Sequence, residues 1–141
     1  MSPPELPGEF RWPVRVYYED TDAGGVVYHA AYLRFMERAR TEMLRARGWE
    51  QDRLADELGV LLVVRRVAVE YHRPARFNDA LIVRTGIERL ARASMVFRQC
   101  IERAETGEML CGGTVQVACV AQADFRPGPI PEQLRESFLE C

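Results

Sequence analysis

Val14, Val16 and Tyr18 alternate with Arg15 and Tyr17 at the two-residue period of a strand, and residues 20–25 break that period with turn formers. From Ala30 the spacing changes. Tyr32, Phe35, Met36, Ala39, Met43 and Ala46 recur at helical steps, so they form one apolar stripe, with Arg34, Arg38, Arg45 and Arg47 expected on the wet side and Gly48 as the stop. Residues 51–58 predict a short helix ending at Gly59. Strands follow over 60–71, 81–90, 94–103 and 109–121, separated by turns at 72–79, 91–93 and 105–108. Pro127, Pro129 and Pro131 then end strand pairing, and residues 132–138 predict a small terminal helix.

One strand, one long helix and a run of long strands without intervening helices argue an α+β domain whose antiparallel sheet wraps the helix. The expected organisation is a loose lead-in over 1–13, a single domain over 14–126 and a tail over 127–141. At 141 residues, 48% hydrophobic and a formal charge of −2, the chain supports one core and reads as an ordinary globular protein, with no excess of basic charge for nucleic acid. The first ten residues carry three prolines and two acids, so neither a signal peptide nor a transmembrane segment is expected there, and the cytoplasm is the default compartment. Cys100, Cys111, Cys119 and Cys141 show no paired spacing, and with only His29 and His72 beside them no zinc pattern emerges; buried thiols are expected for the first three.

The start of the long helix carries the chemistry. A helix exposes about four unpaired N–H groups at its N-terminus, and Ser, Thr, Asp or Asn normally caps them. Here the cap positions are Tyr28 and His29, neither of them a good cap. Backbone donors and the positive end of the helix dipole are therefore available to a polarised carbonyl or an anion. Asp22 lies a short loop away, so a carboxylate and a free helix start are combined, as an acyl-transfer site requires. The plainer alternative is that Asp20, Thr21 and Asp22 only shape a turn.

The run from Tyr17 to Leu33 (Tyr-Tyr-Glu-Asp-Thr-Asp-Ala-Gly-Gly-Val-Val-Tyr-His-Ala-Ala-Tyr-Leu), followed by Glu37-Arg38-Ala39-Arg40-Thr41-Glu42, resembles the signature of the YbgC-type acyl-CoA thioesterases, relatives of 4-hydroxybenzoyl-CoA thioesterase in the hotdog-fold superfamily. Weaker likeness extends over 60–120. The resemblance implies a hotdog fold and two chains joined edge to edge, often as a pair of dimers, giving a homodimer or homotetramer. It implies hydrolysis of an acyl-CoA with Asp22 as nucleophile or general base, His29 supplying the electrophilic pull and Tyr18 orienting the site through its hydroxyl. Arg92 and Ser94 become candidates for the phosphates of coenzyme A, which is part of the substrate; no metal or organic cofactor is implied. Acyl carrier protein is a further candidate partner, and the family's association with the Tol-Pal envelope system suggests a place near the inner membrane. Three alternatives remain open: Glu37 as the catalytic carboxylate, as in a second hotdog thioesterase type; an enoyl-CoA hydratase or dehydratase using Asp22 and His29; and a non-catalytic acyl-carrier or envelope adaptor.

Overall fold

The computed structural model describes residues 3–139. Strand β1 (Phe10–Arg15) precedes the long helix α1 (His29–Ala46); a short α2 (Gln51–Arg53) runs into a π-helical turn, Leu54–Leu58, that ends at Gly59. Strands β2 (Val60–Tyr71), β3 (Ala80–Leu90), β4 (Ser94–Arg103) and β5 (Met109–Ala121) follow, and α3 (Glu132–Leu139) is the last element among the described residues. All pairings are antiparallel in the order β1-β3-β4-β5-β2. The sheet carries α1 on one face. This is the α+β hotdog layout that the pattern of elements and the resemblance led us to expect.

Alternation on the strands sets which side faces the helix. Leu81 and Val83 of β3, Phe97 and Ile101 of β4, and Val115 and Val117 of β5 are buried, and α1 meets them with Tyr32, Phe35, Met36, Ala39, Met43 and Leu44. Two expectations for the helix need correction. Ala46, assigned to the apolar stripe, is exposed. Arg47, assigned to the wet face, is half-buried and donates to the carbonyls of Ser137 at 2.6 Å and Gly8 at 3.1 Å, tying α1 to both ends of the chain. Gly48, at φ +91°, then takes the left-handed conformation that ends the helix.

The N-terminal segment also differs from expectation. Strand β1 begins at Phe10 rather than Val14, which puts Pro13 on an edge strand, where a missing N–H is tolerated. Tyr18 leaves the strand and opens a 3₁₀ turn, Tyr18–Asp20. Nor is the lead-in loose: Arg84 donates to the Pro3 carbonyl at 2.9 Å, Arg98 to that of Pro4 at 2.7 Å, and Leu6 fills the space that a side chain at Gly86 would need. In the tail, Leu134 and Phe138 of α3 are buried against the second half of the core. Cys100, Cys111 and Cys119 are buried free thiols, as expected, while Cys141 lies outside the described residues.

Candidate active site

Between β1 and α1 the chain folds into a small hairpin that separates its two acids by environment. Asp20, 5% exposed, accepts from the Tyr17 N–H through Oδ2 at 2.9 Å and meets Arg34 through Oδ1 at 3.4 Å, while its carbonyl accepts from the Tyr28 N–H at 2.8 Å. It is a structural carboxylate, holding the turn to the helix. Beyond it Thr21 bridges Val27, and Asp22 N–H donates to the Val26 carbonyl at 2.9 Å. Gly25, at φ +79°, makes the tip, and Gly24 donates to Asp22 Oδ1 at 2.8 Å. A Cβ at Gly24 would come within 3.2 Å of that same oxygen, so glycine suits the close approach. Asp22 is exposed, and among the described residues its Oδ2 has no hydrogen-bond partner.

The hairpin delivers the chain to α1 with Tyr28 as the residue before the first helical turn, in extended conformation (φ −63°, ψ 135°) and with no side-chain cap. Ala31 N–H donates to the Tyr28 carbonyl at 2.8 Å; for the N–H groups of His29 and Ala30 there is no acceptor among the described residues. The free helix start expected from the absence of a capping side chain is therefore present, with two donors at the positive end of an 18-residue helix.

Beside these donors opens a cavity of about 290 Å³, walled by Val27, His29, Tyr32, Tyr71 and Pro74 among others. The Tyr71 hydroxyl donates to the His29 carbonyl at 3.0 Å, the Tyr32 hydroxyl accepts from the Ala75 N–H at 2.9 Å, and the Ala75 carbonyl accepts from the Val27 N–H at 2.8 Å. Burial raises the pKa of both tyrosines, so each remains a neutral phenol. The His29 ring lies 4.4 Å from Tyr28 and edge-on to Tyr71 at 6.4 Å. Residue 32 was legible only as core, and nothing in the spacing around Tyr71 singled out its hydroxyl.

The remaining predicted residues are not all brought to this place. Tyr18, 76% exposed, stacks on Phe77 at 3.9 Å between ring centres, and among the described residues its hydroxyl has no partner; its contribution to the hairpin is a carbonyl, which accepts from the Thr21 N–H and hydroxyl. Arg92 is exposed in the 91–93 turn, where its carbonyl accepts from the Ile130 N–H at 2.8 Å and from Arg135. Ser94 pairs with Ala118 of β5, whereas Tyr71 pairs with Cys111. The stretch of β5 from Cys111 to Ala118 spans about 23 Å, so within one chain the Arg92 turn and the helix start occupy opposite ends of the sheet. Glu37 is exposed on the third turn of α1 and lines a separate cleft of about 230 Å³ with Arg40, Leu62 and Val64.

The family model of the thioesterase-like superfamily matches residues 16–138. The chain belongs to the thioesterase-like superfamily. Among its relatives there, acyl-CoA thioester hydrolase YbgC of Escherichia coli O6:H1 is 50% identical over 131 residues, 93% of this chain and 96% of that protein. Acyl-CoA thioesterase YbgC of Haemophilus influenzae is 44% identical over 133 residues, covering 94% and 96%. The crystal structure of a probable thioesterase from Bartonella henselae superposes with a TM-score of 0.82 at 36% identity over 87% of this chain and 99% of that one. The resemblance carried by residues 17–42 thus extends over nearly the whole thioesterase-like chain.

Proposed function

We propose that the chain is an acyl-CoA thioesterase that hydrolyses an acyl-CoA to a free carboxylic acid and coenzyme A. One observation carries this reading: a carboxylate with an unengaged oxygen, Asp22, stands on the hairpin leading into a helix start whose His29 and Ala30 N–H groups are unspent. The thioester carbonyl accepts from those donors, which favour the negative charge that develops on its oxygen. Asp22 then acts in one of two balanced ways. As nucleophile, its oxygen attacks the carbonyl carbon, the C–S bond breaks with its electron pair going to sulfur, and water hydrolyses the resulting anhydride. As general base, it takes a proton from a water whose oxygen attacks directly, and the tetrahedral intermediate expels the same thiolate. A thiol ionises near pH 8.5, so the leaving group departs without a strong acid. No step in either route calls on a metal or an organic cofactor.

We assign the phosphate contacts to Arg92 and Ser94 of a second copy. Strand β2 is a long edge with Val64, Val67 and Tyr71 exposed, an arrangement that favours pairing with another strand. If two β2 strands pair antiparallel about their midpoints, the Val60 end of one lies beside the Tyr71 end of the other. The 91–93 turn of the second copy then comes to the same end of the joint sheet as the helix start, about 14 Å away across three strand spacings. That is the reach needed by the arm linking a thioester to its nucleotide. The working form is accordingly a homodimer, with a pair of dimers as the larger assembly. We place it in the cytoplasm, near the inner membrane and linked to the Tol-Pal system, with acyl carrier protein as an alternative thioester carrier. The test is thiol release from a panel of acyl-CoA and acyl-carrier-protein thioesters, aliphatic and aromatic. Release above the uncatalysed rate on at least one substrate is expected, and none on any of them overturns the reading.

A further inference from the structure

Tyr32 and Tyr71 make reciprocal bonds across the cavity at the helix start. Tyr32, on α1, accepts from the backbone of the segment after β2, at Ala75; Tyr71, the last residue of β2, donates to the backbone of α1, at His29. Their ring centres lie 5.5 Å apart. The bond at His29 has a specific consequence, because the carbonyl of His29 and the N–H of Ala30 belong to one planar peptide unit. Fixing the direction of the oxygen fixes the direction of the N–H at the other side of the same plane. A donor on the carbonyl also withdraws electron density through the amide and makes that N–H a better donor. The Ala30 N–H is one of the two unspent donors.

We infer that Tyr71 is a positioning residue for the hydrolysis, its hydroxyl orienting and polarising the Ala30 N–H that receives the thioester oxygen. This rests on the thioesterase reading of the site. Tyr71 does not reach the reacting atoms itself; it acts through the His29–Ala30 peptide unit. Tyr32 completes the arrangement by holding Ala75, whose carbonyl fixes Val27 at the base of the hairpin, so the two tyrosines tie edge strand, hairpin and helix around one cavity. A phenol ionises near pH 10 and partial desolvation moves Tyr71 higher still, so its hydroxyl is protonated at neutral pH, as a donor must be.

The test is Tyr71→Phe, which removes one oxygen and keeps the ring, with Tyr17→Phe, an exposed tyrosine outside the cavity, as control. Charge on the thioester oxygen is largest in the transition state, so kcat is expected to fall about fivefold, the scale of one neutral hydrogen bond, with KM within about twofold. The amide nitrogen resonance of Ala30, which senses hydrogen bonding at the carbonyl of its own peptide unit, is expected to shift in Tyr71→Phe and stay in place in Tyr17→Phe. An unmoved Ala30 resonance overturns the proposal, and so does a moved resonance with unchanged kcat, or a loss confined to KM. Failure of the wild-type chain to cleave any thioester would defeat the thioesterase reading instead, and the resonance would still report whether Tyr71 fixes this peptide.

Discussion

Replacing Asp20 by Asn separates the structural acid from the proposed catalytic one. In the native turn both Asp20 oxygens act as acceptors, one for the Tyr17 N–H at 2.9 Å and one for the Arg34 guanidinium at 3.4 Å, and the residue is 5% exposed. An asparagine keeps one acceptor and turns an NH₂ group toward a donor, whichever way it is flipped. Losing a charge-assisted bond to a buried carboxylate costs about 2 kcal/mol. The Arg34 pair adds less than about 1 kcal/mol, because the contact is long and the arginine side chain is 48% exposed. The expected total of about 2 kcal/mol corresponds to a fall of about 6 °C in Tm for a domain of this length. Asp22→Asn is the comparison: its amide oxygen still accepts from Gly24, the site is exposed, and Tm should stay within about 2 °C of wild type. Thermal and urea unfolding at one fixed protein concentration, which holds any association constant, measures both. A stable Asp20→Asn beside a destabilised Asp22→Asn would refute this division of roles.

Alkaline pH should destabilise the fold through its thiols. Burial pushes the Cys111 thiol up to about 12 and raises Cys100 and Cys119 as well. The unfolded chain therefore loses protons that the folded chain keeps, and stability falls as pH rises from about 9 toward 12, by up to about 1.4 kcal/mol per pH unit for Cys111 alone. All 19 basic residues are arginine, so no lysine titrates in that window; the raised Tyr32 and Tyr71 phenols act in the same direction as the thiols, and a urea midpoint unchanged between pH 8 and pH 10.5 would contradict the prediction. Arg92→Ala should raise KM more than it lowers kcat, since a phosphate contact remote from the reacting carbon contributes mainly uniform binding. Steady-state kinetics on an active acyl-CoA decide this, and a pure kcat loss would remove Arg92 from the phosphate site.

Much of the fold was legible because it depends on periodicity. The apolar stripe of α1 through Met43, the end of β2 at Tyr71 and the turn at 91–93 each follow from local spacing, and the structure has them where the spacing put them. Arg47 and residues 3–9 were misjudged for one shared reason: their burial comes from segments far away in sequence, Ser137 for the arginine and Arg84 and Gly86 for the lead-in. Within the site, the missing cap before His29 was readable, because capping is local chemistry. What Asp20 and Tyr71 do was not, since the partners that give them their roles, Arg34 and His29, are brought to them only by the folded hairpin and sheet.

The most direct test of the central claim is a single-turnover measurement of thiol release by Asp22→Asn, run beside Glu37→Gln on the same acyl-CoA. If Asp22 attacks the thioester or deprotonates water, its variant should lose a factor on the order of a hundred or more in the chemical step, with substrate binding little changed. Glu37→Gln should retain most of the wild-type rate, because Glu37 lines a different cleft from the helix start. An Asp22→Asn chain that turns over near the wild-type rate while Glu37→Gln is inactive would move the catalytic carboxylate to the helix and contradict the account.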